Sequence, residues 1–383
     1  MTQTRLAQMR RALAEREASQ LLRRSVTIEQ YSGRVLRVAG NSYLNFSGND
    51  YLGLATEPEV IQAYAEGAAA FGAGSSGSPL VTGQHQVHQQ LSDTLCDWLG
   101  FEQVLLFSSG FAANQTMLQT LAQKGDTLLM DKLSHASLID GALHSGAQLK
   151  RFAHNDISAL HASLIDVSQP LVVTEGVFSM DGDSPDLTAV LSLCRQYQAP
   201  LLLDDAHGLG VCGPEGRGTA AAQGILSSDL FCTMANFGKA LGVGGAFVGG
   251  SKTVIDYLAQ LGRHYIYSTA LSPALCAAVT KSIALCRSQS WRRDKLQSNI
   301  ARFRALAADL PLLASQTAIQ GLVLGDSARA LNMSAQLKQA GIWLSAIRPP
   351  TVPKGSARLR ITLSAQHTEQ DLQLLVQQLR QLV

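Results

Sequence analysis

The chain has 383 residues, 46% of them hydrophobic and 16% charged, with a formal net charge of +2. That length and apolar content suit a soluble globular protein with a large core. A near-neutral balance, 6% aromatics and no basic run interleaved with aromatics argue against nucleic-acid binding.

In chain order, residues 2–24 have helical composition with mixed charge, and Arg10-Arg11 and Arg23-Arg24 are short basic pairs within it. Val35–Val38 and Tyr43–Phe46 read as short strands. Apolar runs then occur at Val104–Phe107, Thr127–Met130, Leu171–Thr174, Leu201–Asp204, Leu230–Ala235 and Ala246–Val248. Helical segments, among them Val87–Leu99, Ala112–Leu121 and Leu187–Tyr197, lie between several of them. Near-continuous apolar strands alternating with helices predict an α/β fold with a mostly parallel sheet covered on both faces. Such sheets bind ligands at the carboxyl ends of their strands. Ser109, Glu175, Asp204 and the Asn236–Lys239 loop all follow predicted strands, so four strand ends should share one rim.

After roughly residue 285 the pattern changes. Trp291–Asp309 is helical, with Pro311 as a stop signal. Ala318–Leu324 reads as a strand and Ala328–Ala340 as a helix closed by Gly341. Arg358–Leu363 alternates as a half-buried strand. Thr368 caps a last helix with apolar positions at Leu372, Leu375, Leu379 and Leu382. These features predict an N-terminal segment over 1–45, a large domain over 46–285 and a smaller α+β domain over 286–383.

Six cysteines (96, 194, 212, 232, 276 and 286) lack metal-ligand or C-x-x-C spacing and read as small core residues in a reducing compartment. No apolar run approaches the roughly 18 residues of a membrane span, and the N-terminus has no apolar signal region. A cytoplasmic protein without a metal is expected. The glycine-rich stretches Gly72–Ser78 and Gly242–Gly245 do not match a dinucleotide-binding loop, and read as backbone-permissive loops near a ligand.

The chemistry concentrates in two segments. Leu201–Asp204 is an apolar strand ending in a carboxylate, with His207 three residues on. About thirty residues later, Lys239 sits among small residues that leave room around its amine. A carboxylate, an imidazole and an amine in this order are what a pyridoxal phosphate (PLP) enzyme needs: an aspartate to keep the cofactor's ring nitrogen protonated, a histidine for its ring hydroxyl, and a lysine to hold it. Each residue alone has a plainer reading. An Asp at a strand end is often a cap, and a Lys in a glycine-rich loop is usually solvated. A third segment strengthens the set. Leu105–Asn114 reads as strand, tight turn and helix start, and that helix N-terminus offers free N–H groups to a phosphate.

Together these segments resemble the α-oxoamine synthases, PLP enzymes of fold type I. The resemblance covers nearly the whole chain. It is carried by Asn45–Leu54, Ser108–Asn114, Leu133–Ser137, Thr174–Asp183, Asp204–Gly208 and the lysine loop. It implies a large domain with a seven-stranded, mostly parallel sheet. Phe152–Asp156 and Ala346–Pro353 favour the member that joins L-alanine to a pimeloyl thioester, carried on CoA or on acyl carrier protein. Carried over by position, Lys239 would bind the cofactor and then act as base. Asp204 would meet the pyridine nitrogen, His207 the ring hydroxyl and His135 the ring face. Ser179, Gly110 and Phe111 would be further cofactor contacts. Arg23, Arg348, Thr351 and His135 would be substrate contacts, with Arg348 taking the amino-acid carboxylate. The family has Thr or Ser three residues before the lysine, to meet the phosphate. This chain has Asn236, whose amide can donate but with a different reach. Ser268-Thr269 resembles a phosphate contact made from the neighbouring subunit, which implies a homodimer with its active site at the interface. The nearest rival is another member of the family: glycine C-acetyltransferase, 5-aminolevulinate synthase or serine palmitoyltransferase. A PLP aminotransferase or lyase is more distant, and a non-catalytic cofactor-binding protein more distant still.

Overall fold

A computed structural model describes residues 2–383. The chain divides into two compact units. One holds the residues up to Gly48, Met180–Gly182 and Gln297–Val383, and the other holds Asn49–Ser179 and Asp183–Leu296. The N-terminal segment therefore clusters with the C-terminal residues.

The first unit opens with a helix over Thr2–Ala18. It stops short of the expected residue 24 because Gln20 takes a left-handed backbone, at φ 57°, which ends an α-helix. Next come β1 (Gln30–Tyr31), β2 (Val35–Val38) and β3 (Asn41–Asn45). β2 and β3 pair antiparallel across Ala39-Gly40. Both turn residues have positive φ, 49° and 75°, the primed geometry that matches the twist of a two-residue hairpin.

The second unit is built on seven strands: β4 (Gln103–Phe107), β5 (Thr127–Asp131), β6 (Gln148–Phe152), β7 (Pro170–Glu175), β8 (Leu201–Asp204), β9 (Cys232–Asn236) and β10 (Ala246–Gly250). Their order is β4-β10-β9-β8-β7-β5-β6. Only β10 runs antiparallel to its neighbours. β6 escaped the sequence reading because Gln148-Leu149-Lys150-Arg151-Phe152 is mostly polar. It is an edge strand with one buried residue, and charged side chains there discourage further strand pairing. Side chains alternate across the sheet. Met130, Val173 and Leu202 pack with Ala113, Met117 and Leu118 of the helix Gly110–Leu121. Leu129, Val172, Leu201 and Leu203 pack on the other face with Leu187, Val190 and Leu191.

Register brings the site residues together. Asp204 lies opposite both Glu175 and Met234, and Ala246 lies opposite both Asn236 and Phe107. The carboxyl ends of β4, β7, β8 and β9 thus lie side by side, with Asp204 on the Leu202 face. The loop after β9 turns back tightly: Phe237 N donates to Gly245 O at 2.9 Å and Gly242 N to Lys239 O at 2.9 Å. Gly242 has φ +67°, and a Cβ there would lie 2.3 Å from the Ala55 amide nitrogen. Gly242→Ala is therefore expected to destabilise the protein by about 2–4 kcal/mol, read as a lower urea midpoint at unchanged slope.

Returning to the first unit, β11 (Ile319–Gly325), β13 (Ala346–Ile347) and β14 (Ala357–Thr362) form an antiparallel sheet. Between them in the chain, β12 (Ile342–Trp343) adds parallel to β3. β14 is buried along its whole length rather than half-buried. Its arginines misled the pattern. Arg358 is 5% exposed and meets Asp181 at 2.5 Å, so the charge is buried as a pair. Thr368 caps the helix Glu369–Leu382 through a capping box with Asp371.

Candidate active site

The second unit gathers most of the expected residues. Asp204 is 5% exposed. Its Oδ2 accepts from Asn114 Nδ2 at 2.7 Å, and its Oδ1 from the Ala206 amide at 3.0 Å. Asn114 projects from the helix Gly110–Leu121 and also donates to Ser137 Oγ at 2.9 Å. Two donors from different segments fix the direction of this buried carboxylate. Next to it in the chain, Asp205 has a different fate. It accepts from Thr219 N at 2.8 Å and Thr219 Oγ1 at 2.7 Å. Burial dominates those bonds and pushes its carboxyl up to about 7. The neighbouring carboxylates are thus separated by what surrounds them, and Asp204 alone bonds to the helix that begins at Gly110.

His207 is buried, and its Nδ1 shares a 2.7 Å hydrogen bond with the Tyr51 hydroxyl. His135 caps the helix Ala136–Ser145: its Nδ1 lies 2.7 Å from Ser137 Oγ and accepts from Ser137 N at 3.2 Å. The ring meets Phe111 edge-on, with centroids 6.5 Å apart. His135 remains open to solvent. Desolvation lowers its pKa from the ordinary histidine value, Asp204 raises it, and Lys239 lowers it again. The backbone N–H of His135 donates to Glu175 Oε1 at 2.5 Å. Glu175 is 3% exposed. Burial, then the charge of Asp204, hold its carboxyl well above the usual range, against the opposing effects of the His135 N–H and Lys239. Lys239 therefore acts electrostatically on His135, Glu175 and Asp205 together.

At the rim, Ser109 caps the helix Gly110–Leu121 by accepting from Ala112 N at 3.2 Å. Asn236 Oδ1 accepts from Gly238 N at 3.2 Å, which turns the other end of its amide outward. A Cβ built on Gly110 would meet nothing nearer than 3.6 Å, and the atoms at that distance are Cβ and Nδ2 of Asn236. Open backbone N–H groups, a glycine and an amide donor thus form a cradle of the kind that takes a phosphate. Ser179 follows β7, in a turn closed by Phe178 N donating to Asp183 O at 2.9 Å.

The remaining expected residues lie in the first unit and come together there. Arg23 Nη2 donates to Thr351 Oγ1 at 2.9 Å, and Arg348 Nη1 donates to the Gln20 carbonyl. Burial and the charge of Arg23 both lower the pKa of Arg348, whose buried Nε has no partner among the described residues. Arg24 turns instead to Glu17 at 3.0 Å, so Arg23 is the member of the pair beside Thr351. Sequence reasoning did not single out Tyr51 or assign a role to Asn114. Both stand in quoted motifs, but their partners are 156 and 90 residues away.

Among the described residues no group of three His, Cys, Asp or Glu could hold a metal ion, and no helix is long and apolar enough to cross a membrane. The described cysteines are free thiols, and burial raises Cys232 beyond the usual thiol range.

A mostly parallel sheet carrying Asp204 on one strand end, a lysine loop on a neighbouring one and a helix N-terminus beside it defines a PLP-dependent enzyme of fold type I. Residues 41–379 match the family Aminotransferase class I and II. The chain belongs to that family, and within it to the group of the 8-amino-7-oxononanoate synthases. An 8-amino-7-oxononanoate synthase from Aeromonas salmonicida is 52% identical over 370 residues, covering 96% of this chain and 93% of that protein. A serine palmitoyltransferase from S. paucimobilis, solved with bound PLP–myriocin, superposes with a TM-score of 0.93 at 28% identity, over 99% of this chain and 97% of that one. The crystal structure of an 8-amino-7-oxononanoate synthase from Francisella tularensis gives a TM-score of 0.78 at 30% identity, over 88% of this chain and 98% of that one. The cofactor is pyridoxal 5′-phosphate. The buried carboxylate and the cradle at Gly110 fit its ring nitrogen and its phosphate, two groups of opposite demand.

Proposed function

We propose that this chain joins L-alanine to a pimeloyl thioester, on CoA or on acyl carrier protein, and releases 8-amino-7-oxononanoate, CO2 and free thiol, a step of biotin biosynthesis. The observation that carries this reading is the 52% identity with a synthase of that name over 93% of its length, joined to an intact Asp204, His207 and Lys239. In the reaction the alanine Cα–H bond breaks and a bond to the acyl carbon forms. The thiolate leaves and takes up a proton; the bond from Cα to the former alanine carboxylate then breaks, CO2 departs, and a proton added at Cα completes the product. Bound PLP supplies an electron sink for the pair left at Cα.

This chain's residues supply the rest. The Lys239 amine would hold the cofactor covalently, and its Nζ would be the base for the Cα proton. Asp204 would face the pyridine nitrogen and support its protonated form, and Asn114 and the Ala206 amide keep that carboxylate aimed. His207, braced by Tyr51, would meet the ring hydroxyl. His135 and Phe111 would cover the ring, and Ser179 would contact it from the turn after β7. Arg348 takes the substrate carboxylate in a two-pronged grip that sets the Cα–H direction, with Arg23, Thr351 and His135 as further substrate contacts. The enzyme works as a homodimer in the cytoplasm, its active site shared between subunits.

The test is an endpoint assay of the PLP-loaded protein with L-alanine, glycine or L-serine, each with pimeloyl-CoA or acetyl-CoA. Free thiol, CO2 and a product of the right mass are expected only with L-alanine plus pimeloyl-CoA. Thiol release with glycine and acetyl-CoA instead would replace the named reaction with that of a glycine C-acetyltransferase. The phosphate cradle is tested separately. Asn236→Thr is expected to tighten PLP about three- to tenfold, as one better-placed hydrogen bond of about 1 kcal/mol would. Equilibrium titration of the apoprotein measures it.

A further inference from the structure

His154 stands two residues past β6, outside the set of residues given a role above. Its Nδ1 lies 2.8 Å from Asp131 Oδ1 and its Nε2 lies 2.8 Å from Asp183 Oδ2. The ring meets Phe178 edge-on, with centroids 4.5 Å apart. A neutral imidazole has one N–H, so two carboxylate partners require both nitrogens to carry protons.

Each carboxylate shapes a different turn. Asp131, 1% exposed at the end of β5, accepts from Leu133 N at 2.7 Å and Asn155 N at 2.9 Å. Its carbonyl accepts from Ser134 N at 3.1 Å. Those bonds set the turn that delivers His135. Asp183 also accepts from Asn155 Nδ2 at 2.6 Å, and its carbonyl closes the turn from Phe178 that carries Ser179. One ring therefore bridges the two turns.

We propose that His154 is a positioning residue: as an imidazolium it ties the turn leading to His135 to the turn carrying Ser179 and holds both in place for the cofactor. This rests on the cofactor site described above. The charged groups bonded to the ring are Asp131 from β5 and Asp183 from the turn; Phe178 and Asn155, which also touch it, are neutral. Burial lowers the pKa of the ring, but the hydrogen bonds and charges of Asp131 and Asp183 outweigh it and raise it to about 10. The folded value exceeds the ordinary 6.5, so the contribution to stability is full below about 6.5 and is lost as the pH climbs through about 10. Across neutral pH the bridge stays charged.

The experiment pairs nitrogen-15 NMR of the histidine rings in the apoprotein with PLP titration of His154→Gln and His154→Phe at 25 °C. The expected spectrum shows one ring with two protected N–H groups and no titration below about pH 9. The expected dissociation constant for PLP rises about threefold in the Gln variant and more than tenfold in the Phe variant. At saturating PLP, kcat should fall while circular dichroism stays native. A ring titrating near its ordinary value overturns the proposal. So does a His154→Gln variant that melts earlier yet binds PLP and turns over like wild type, which would make the bridge a stability element only. Wild-type protein that takes up no PLP at Lys239 overturns the cofactor reading and this role with it; normal wild-type uptake with an unchanged Gln variant overturns this role alone.

Discussion

Lys239→Ala is expected to abolish turnover, with at least a thousandfold loss of kcat. Two functions vanish with one amine. A general base at the reacting carbon contributes roughly 10²–10⁴-fold by itself, and the covalent hold on the cofactor is a second, separate term. No nearby group replaces it. Glu175, its pKa raised by burial and the charge of Asp204, is committed at Oε1 to the His135 N–H. His135 is committed at Nδ1 to Ser137. Asp205 is held by Thr219 among the residues of the opposite core. The fold should survive, because Lys239 is only half-buried on a loop whose backbone closes without its side chain. The measurement is thiol release from pimeloyl-CoA, together with mass analysis after borohydride reduction. The wild type should carry PLP on the peptide containing residue 239, and the variant should not. Turnover within tenfold of wild type would sink the site assignment.

Asp204→Asn should be nearly as severe, by two routes that can be separated. The first is electronic. A neutral amide cannot offset a protonated pyridine nitrogen, so the ring loses its proton and its capacity to take up electrons. Removal of one such electrostatic partner costs about 10²–10³-fold in comparable sites. The second route is structural. Asp204 accepts at both oxygens, from Asn114 Nδ2 and from the Ala206 amide. An Asn can keep one of those bonds, but its own NH2 must then face a donor. Asn114 can turn its amide over, since its buried Oδ1 has no partner among the described residues, but its bond to Ser137 Oγ would then need rearrangement. A stability loss of about 1–3 kcal/mol is expected from the strained network. Asp204→Asn combined with Asn114→Asp would put the carboxylate on the helix instead. It should recover part of the stability while leaving activity low, because the charge no longer stands at the strand end. Equal recovery of both would mean that Asp204 acts only through packing.

The legible and illegible parts of this chain differ in physical kind. Lys239, Asp204 and His207 stand out in the sequence because their pattern is local: a carboxylate closing an apolar strand, and an amine set among small residues. β4, β5 and β7–β10 were readable for the same reason, since strands buried on both faces become continuous apolar runs. β6 was not, because an edge strand need not be apolar. β14 misread as half-buried because a charge can be buried when a partner waits for it, and Asp181 lies 177 residues from Arg358. The N-terminal helix ended early at one left-handed residue, Gln20, a choice its side chain does not announce.

Sequence by itself thus determined the order of chemical groups along the chain, the alternating sheet that would carry them, and the family pattern with its departure at Asn236. The tertiary structure decided how two neighbouring carboxylates are held. Asp204 and Asp205 are adjacent and alike in sequence. β8 turns Asp204 toward Asn114 and the helix Gly110–Leu121, and gives Asp205 to Thr219. It also decided that His154 bridges Asp131 and Asp183, that Tyr51 braces His207, and that Arg23 rather than Arg24 meets Thr351. The reason is common to all four. A side chain's protonation and aim depend on partners from distant segments, and only the folded register brings those partners within hydrogen-bonding distance.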